Sequence, residues 1–170
     1  MTIRIHVDGP DAVGKTPMVQ QLAKELRAEG LKVVTVKEPY TNGLKTAEEY
    51  HADRVANWDP HEEADVVLSD RSVLAMLVEN EPVREHLHRA SKIFMTGHFF
   101  VIVPGTVGYY KQCEARAKAK DEIESGDYAF LCEDYWHCED MLLAALVLQA
   151  NSYEDGLAQL RKNVREVLGL

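Results

Sequence analysis

Short runs of consecutive apolar residues alternate along the chain with longer stretches in which apolar residues recur every three or four positions. The runs "IRIHV", "KVVTV", "ADVVLSD", "FFVIV" and "ALVLQA" predict five strands. They show little polar alternation, the pattern of strands covered on both faces of a sheet. Between them, "PMVQQLAKELRAEG" predicts an amphipathic helix closed by Gly30. Further helices are predicted over Leu44 to Trp58, from "RSVLAMLVEN", in the charged stretch "YYKQCEARAKAKDEIES", and from about Tyr128 to Leu142. A closing helix, "SYEDGLAQLRKNVREVL", has Ser152 as its N-cap and Asp155 three residues on. Five short strands separated by helices predict an α/β fold of three layers, a five-stranded parallel sheet flanked by helices. No repeat, linker or low-complexity segment interrupts it, so residues 1–170 are expected to form one domain.

Composition narrows the partners. Apolar residues make up 46% of the 170 and charged residues 28%, an ordinary globular balance around one core. The formal net charge is −9, without a block of Lys or Arg, which argues against a nucleic-acid polymer as partner. The apolar runs are too short to span a bilayer and no signal peptide opens the chain, so no membrane partner is expected, and an odd number of cysteines, three, fits a reducing cytoplasm. Cys113, Cys132 and Cys138 lack CxxC spacing and are read as structural thiols. The histidines show no paired arrangement.

The chemistry starts at "GPDAVGKTP". Gly9-x4-Gly14-Lys15-Thr16 matches the Walker A pattern between a strand and a helix, the context in which that pattern is informative, and makes the expected fold a P-loop fold. Gly9, Ala12, Val13, Gly14, Lys15, Thr16 and Pro17 are the candidate residues for the phosphates of ATP or GTP. The glycines let backbone N–H groups turn inward, and the helix start adds partial positive charge. Lys15 is expected at the β/γ-phosphates and Thr16 at Mg²⁺. Pro17 stands where a second hydroxyl residue is usual, though a proline in a first helical turn is sterically acceptable. No NKxD element marks a GTPase. At the end of the third strand, "SDRS" offers Asp70 to the Mg²⁺ shell and Arg71 to a second phosphate.

These motifs, in order, resemble those of the thymidylate kinases, a family of P-loop nucleoside monophosphate kinases. "GPDAVGKT" is similar to that family's loop, with Asp11 at its acidic position. "KEP" (Lys37, Glu38 and Pro39) resembles its Arg-Glu-Pro element, whose basic residue faces the monophosphate. "YHADRVANW" resembles Phe-x-x-x-Arg, so the resemblance places Tyr50 stacked on the base and Arg54 at O4 of thymine. "DRS" resembles Asp-Arg-Tyr, and "ARAKAKDEIESGDY" resembles the lid and the acidic segment behind it, which puts a short helical lid at about 105–126.

The resemblance implies ATP-dependent phosphorylation of a pyrimidine deoxynucleoside monophosphate by a Mg²⁺-using homodimer. The substrate would be dTMP, dUMP or a 5-substituted relative. Lys15, Arg71, Arg116 and Asp11 would be catalytic, Asp11 orienting Arg71 or the deoxyribose hydroxyl. Asp11, Lys37, Glu38, Pro39, Tyr50, Arg54, Arg71, Ser72 and Tyr128 would meet the substrate, and Thr16 and Asp70 the metal. Ser72 in place of tyrosine, and Lys37 in place of arginine, depart from the family pattern and leave the preferred pyrimidine open. Two other readings stay open. One is a non-catalytic P-loop nucleotide-binding or regulatory protein. The other is a P-loop kinase of a modified base in DNA, which the net charge opposes.

Overall fold

A computed structural model of the chain describes residues 2–37, 63–72, 74, 97–120, 127–137 and 145–170, with Lys37 described at its backbone only. Five strands appear where the apolar runs place them: β1 (Ile3–Asp8), β2 (Val33–Lys37), β3 (Val66–Asp70), β4 (His98–Pro104) and β5 (Ala145–Ala150). All neighbours pair in parallel, in the order β2-β3-β1-β4-β5. Four helices are described: α1 (Lys15–Ala28), α2 (Val107–Ala119), α3 (Asp127–Trp136) and α4 (Tyr153–Leu168). The expected continuation of α3 toward Leu142 lies, from Cys138 on, outside the described residues, as does the helix expected over Leu44 to Trp58.

The alternation of side chains along a strand decides which helix covers which face. Ile5 and Val7 on β1, Val66 and Leu68 on β3, and Phe100 and Ile102 on β4 share one core with Met18, Val19, Leu22, Ala23 and Leu26 of α1. The α1 residues recur at the helical period, and removing either leucine side chain would cost about 2–5 kcal/mol. Leu160 and Val164 bring α4 onto the same core. Gly156 lets α4 in close: a Cβ there would sit 2.9 Å from the Met18 Cε and 3.1 Å from the Ala150 Cβ. Ser152 caps α4 as expected, its hydroxyl accepting from the Asp155 N–H at 3.1 Å, while the Asp155 carboxylate accepts from the Asn151 N–H at 2.8 Å.

The topology locates the crevice. The chain steps from central β1 to β2 and β3 on one side and to β4 and β5 on the other, so the direction of winding changes at β1. In such sheets a ligand crevice opens beyond the carboxyl ends of the strands at this change. Val7 lies in register with both Asp70 and Phe100, so the loops leaving β1 and β3 emerge side by side there.

An ion pair fastens α4 to α1 at the surface: Nε and Nη2 of Arg161 each donate to Glu25 at 2.7 Å. The arginine's hydrogen bonds hold the Glu25 carboxyl down to about 2 from its ordinary 4.5. A carboxyl lowered in the folded state stabilises it above the unfolded pKa, and that contribution fades as pH falls toward the folded value. Arg161→Ala should therefore lower stability by about 0.2–1 kcal/mol near neutrality. In urea denaturation the gap from wild type should close between about pH 4.5 and pH 2.

Candidate active site

The loop from Gly9 to Gly14 joins β1 to α1 and fixes the geometry of the crevice. Gly9 has φ of 134°, and a Cβ there would stand 2.2 Å from the carbonyl oxygen of Ile102, so the loop crosses β4 at a distance that only glycine allows. Gly14, at φ of 95°, is the N-cap of α1 and places no side chain over the first turn. Five of the loop's six carbonyls, all but that of Ala12, are committed to described residues of the protein. Lys15 Nζ donates to the Gly9 and Pro10 oxygens, both at 2.7 Å. The Tyr128 hydroxyl donates to the Asp11 oxygen at 2.9 Å and the Tyr109 hydroxyl to the Val13 oxygen at 2.8 Å. Met18 N–H takes the Gly14 oxygen at 3.1 Å. Among the described residues no acceptor meets the N–H groups of Asp11, Ala12, Val13 and Gly14.

The expected charges gather around this loop. Lys15 is buried, and the two carbonyls compensate its ammonium. Asp11 forms an ion pair with Arg71, and its carboxylate lies 4.0 Å from Lys15 Nζ. The Arg71 contact is one of the two roles considered for Asp11. Arg71 N–H donates to the Val7 carbonyl at 3.0 Å, carrying the β1–β3 ladder one residue past the strand. Arg71 also adopts a φ of 68°, a left-handed conformation that costs a non-glycine residue on the order of 1 kcal/mol or more. The sharp turn returns its side chain toward Asp11.

Thr16 Oγ1 donates to Asp70 Oδ2 at 2.6 Å, so the two candidate metal ligands stand side by side. A hydroxyl and a carboxylate form an oxygen-only donor set suited to Mg²⁺, which uses one or two protein oxygens and takes the rest from phosphates and water. Among the described residues no group of three or more His, Cys, Asp or Glu could hold a metal by itself.

Other expected site residues sit differently. Lys37 ends β2 in register with Asp70, which puts its backbone at the same carboxyl edge. Glu38, Pro39, Tyr50 and Arg54 lie outside the described residues. Pro17 is exposed in the first turn of α1. Ser72 is fully buried: its N–H and Oγ donate to Asp8 at 2.8 and 2.6 Å, and its Oγ accepts from the Leu74 N–H at 3.0 Å. Tyr128 is fully buried as well, beneath the loop. Arg116 is exposed on α2 and folds along its own helix, with Nε 3.3 Å from the Gln112 oxygen and its guanidinium 5.9 Å from the Tyr109 ring centre. A cavity of about 420 Å³ lies at the opposite sheet edge, lined by His98, Leu146 and Val167 among others, and holds none of these groups.

Two residues of this site escaped sequence reading. Asp8 is a carboxylate ending an apolar strand just before the loop, a signal available in "IRIHVD". Tyr109 carries no such signal, since its partner Val13 is 96 residues away.

The fold is a P-loop α/β fold, and its likeness to known proteins agrees. No family model matches the chain. The thymidylate kinase of Xylella fastidiosa (strain M12) is 39% identical over 67 residues, which are 39% of this chain and 30% of that protein. The probable thymidylate kinase of Methanopyrus kandleri is 37% identical over 89 residues, 45% of this chain and 46% of that protein. The chain thus spans less than half the length of these relatives in the matched regions. The solved structure of deoxyadenosine kinase from M. mycoides with bound dATP matches with a TM-score of 0.61 over 99% of this chain and 100% of that one. At 14% identity that likeness speaks for the fold alone. The thymidylate kinase resemblance carried by the motifs is met by sequence similarity to proteins of that name. No described helix is long and apolar enough to cross a membrane.

The burial of Ser72 makes a prediction. Ser72→Ala removes a 2.6 Å bond to a fully buried carboxylate and the acceptor of the Leu74 N–H, and should cost about 1–3 kcal/mol in urea denaturation.

Proposed function

We propose that the chain transfers the γ-phosphoryl group of ATP to a pyrimidine deoxynucleoside monophosphate: dTMP, dUMP or a 5-substituted relative. The observation that carries this reading is the meeting of Lys15, the Thr16–Asp70 pair and the Arg71–Asp11 pair at one sheet edge, around a loop with five of its six carbonyls already engaged. The acceptor rests on the Tyr50 and Arg54 spacing and on the similarity to thymidylate kinases.

In the proposed reaction an anionic oxygen of the acceptor phosphate forms a bond to the γ-phosphorus. The bond from that phosphorus to the β–γ bridging oxygen breaks, and ADP leaves with the electron pair. The acceptor oxygen is already ionised at neutral pH, so no general base is needed and the barrier falls through positioning and charge neutralisation. Lys15 would exchange its two carbonyl acceptors for phosphate oxygens. Arg71, held by Asp11, would present its guanidinium to the acceptor phosphate, and the resemblance to the Arg-Glu-Pro element would make Lys37 a second cation there. Thr16 and Asp70 would hold Mg²⁺, which supplies charge neutralisation at the phosphates when bound. Arg116 would have to leave its own helix face to reach the transferred group. The same resemblance supports a cytoplasmic homodimer built through the helix expected in "RSVLAMLVEN".

Two measurements test this reading. Lys15→Ala should retain less than about a tenth of the wild-type rate, equivalent to ~1.4 kcal/mol of barrier, while still unfolding in one cooperative transition, lowered by about 1–3 kcal/mol because the Gly9 and Pro10 oxygens lose their donor. An ADP-release assay should show dTMP or dUMP phosphorylated well ahead of dCMP, by roughly ten-fold to a hundred-fold, because an arginine facing the cytosine amino group leaves a charge unpaired. Arg54→Ala should narrow that ratio. Equal turnover of dCMP and dTMP by the wild type would remove Arg54 as reader of the base, and no turnover of any deoxynucleoside monophosphate would leave a P-loop binding protein.

A further inference from the structure

We infer that Tyr109 and Tyr128 are positioning residues of the phosphate cradle, each fixing the direction of one loop N–H through the carbonyl of the same peptide; this rests on the nucleotide-binding reading above. In a trans peptide the C=O and N–H point to opposite sides of the chain. An anchored oxygen therefore aims the next residue's N–H the other way. Tyr128 takes the Asp11 oxygen at 2.9 Å and so aims the Ala12 N–H, and Tyr109 takes the Val13 oxygen at 2.8 Å and so aims the Gly14 N–H. Lys15 does the same for Asp11 through the Pro10 oxygen, but a lysine drawn to phosphate gives that contact up. The tyrosines carry no charge, and nothing in nucleotide binding calls them away.

The surroundings support a role in holding rather than contact. Tyr128 is fully buried and Tyr109 is 3% exposed, so neither ring can meet a ligand in the crevice. They come from different helices, α3 and α2, and converge on one loop, each from the side opposite the N–H it aims, that of Ala12 or Gly14. Ala12 sits at φ of 60°, a left-handed conformation that a non-glycine residue keeps only where neighbours hold it, and the Tyr128 bond falls on the peptide just before it. Burial pushes both phenols well above their ordinary pKa, so they remain donors across the working pH range. The cradle should act on bound nucleotide throughout the reaction, so its loss should appear as uniform binding: a raised KM for ATP with kcat little changed.

The test measures the affinity of Mg²⁺–ATP by calorimetry, and KM and kcat for ATP, in Tyr109→Phe, Tyr128→Phe and the double variant, each well below its own melting temperature. Each single variant should bind Mg²⁺–ATP roughly two- to ten-fold more weakly, with KM raised in step and kcat nearly unchanged, and the double variant should lose more than either. Incorporating 4-aminophenylalanine at position 128 retains a para donor and should restore affinity, and it also serves if the phenylalanine variant does not fold. Tyr135→Phe removes a hydroxyl from another fully buried tyrosine of α3 and should leave the affinity unchanged. Unchanged affinity in both single variants, or an equal loss in Tyr135→Phe, would overturn the positioning role while leaving the function standing. A wild-type chain that does not bind Mg²⁺–ATP would overturn the nucleotide reading and this role with it.

Discussion

A trans peptide that gives its oxygen to the protein must turn its N–H the other way, and the functional edge of this molecule depends on that constraint. Gly9, Pro10, Asp11, Val13 and Gly14 all give their carbonyls to named donors of the chain. What remains is a row of backbone donors beside the start of α1, where the helix adds partial positive charge. An acidic protein can thereby hold an anion without a basic surface. Its net charge of −9 is compatible with a phosphate ligand because the attraction is local, made by oriented dipoles and two buried or half-buried cations.

The remaining side chains keep those cations compensated. Asp11 faces Arg71 and Lys15, and Asp70 accepts from Thr16. Asp8 and Ser72 tie the end of β1 to the turn after β3, closing the gap between the two loops that frame the crevice. Register links these contacts: because Val7 lies opposite Asp70, a slip of one residue between β1 and β3 would send Asp70 to the other face and away from Thr16. The sheet therefore acts as the gauge for the site, and the loop glycines let the chain meet it at van der Waals limits.

Much of this was legible in the sequence because it is local. Apolar runs fix strands, the glycine spacing fixes the loop, and a hydroxyl with an acidic partner three residues on fixes the start of α4. Placing two motifs at one sheet edge also made Thr16 and Asp70 joint metal candidates and Arg71 one of two partners expected for Asp11, and the structure puts each of these pairs in contact. Contacts decided by packing between distant segments were not legible. "DRS" reads as a pocket motif, yet the burial of Ser72 depends on Asp8, 64 residues earlier. Tyr128 reads as a substrate contact, yet it reaches the loop from below, across 117 residues of chain. Arg116 reads as a lid cation, and its present direction is set by its own helix and by the ring of Tyr109.

The central claim is that this edge passes a phosphoryl group between nucleotides and does not merely bind one. Phosphorus NMR of the wild-type chain incubated with ATP, Mg²⁺ and dTMP follows each phosphate directly. The account predicts that the γ-phosphate signal of ATP declines while a β-phosphate signal of dTDP grows in equal amount, with little inorganic phosphate. Unchanged ATP signals, or release of the γ-phosphate to water alone at the same rate with and without dTMP, would contradict it.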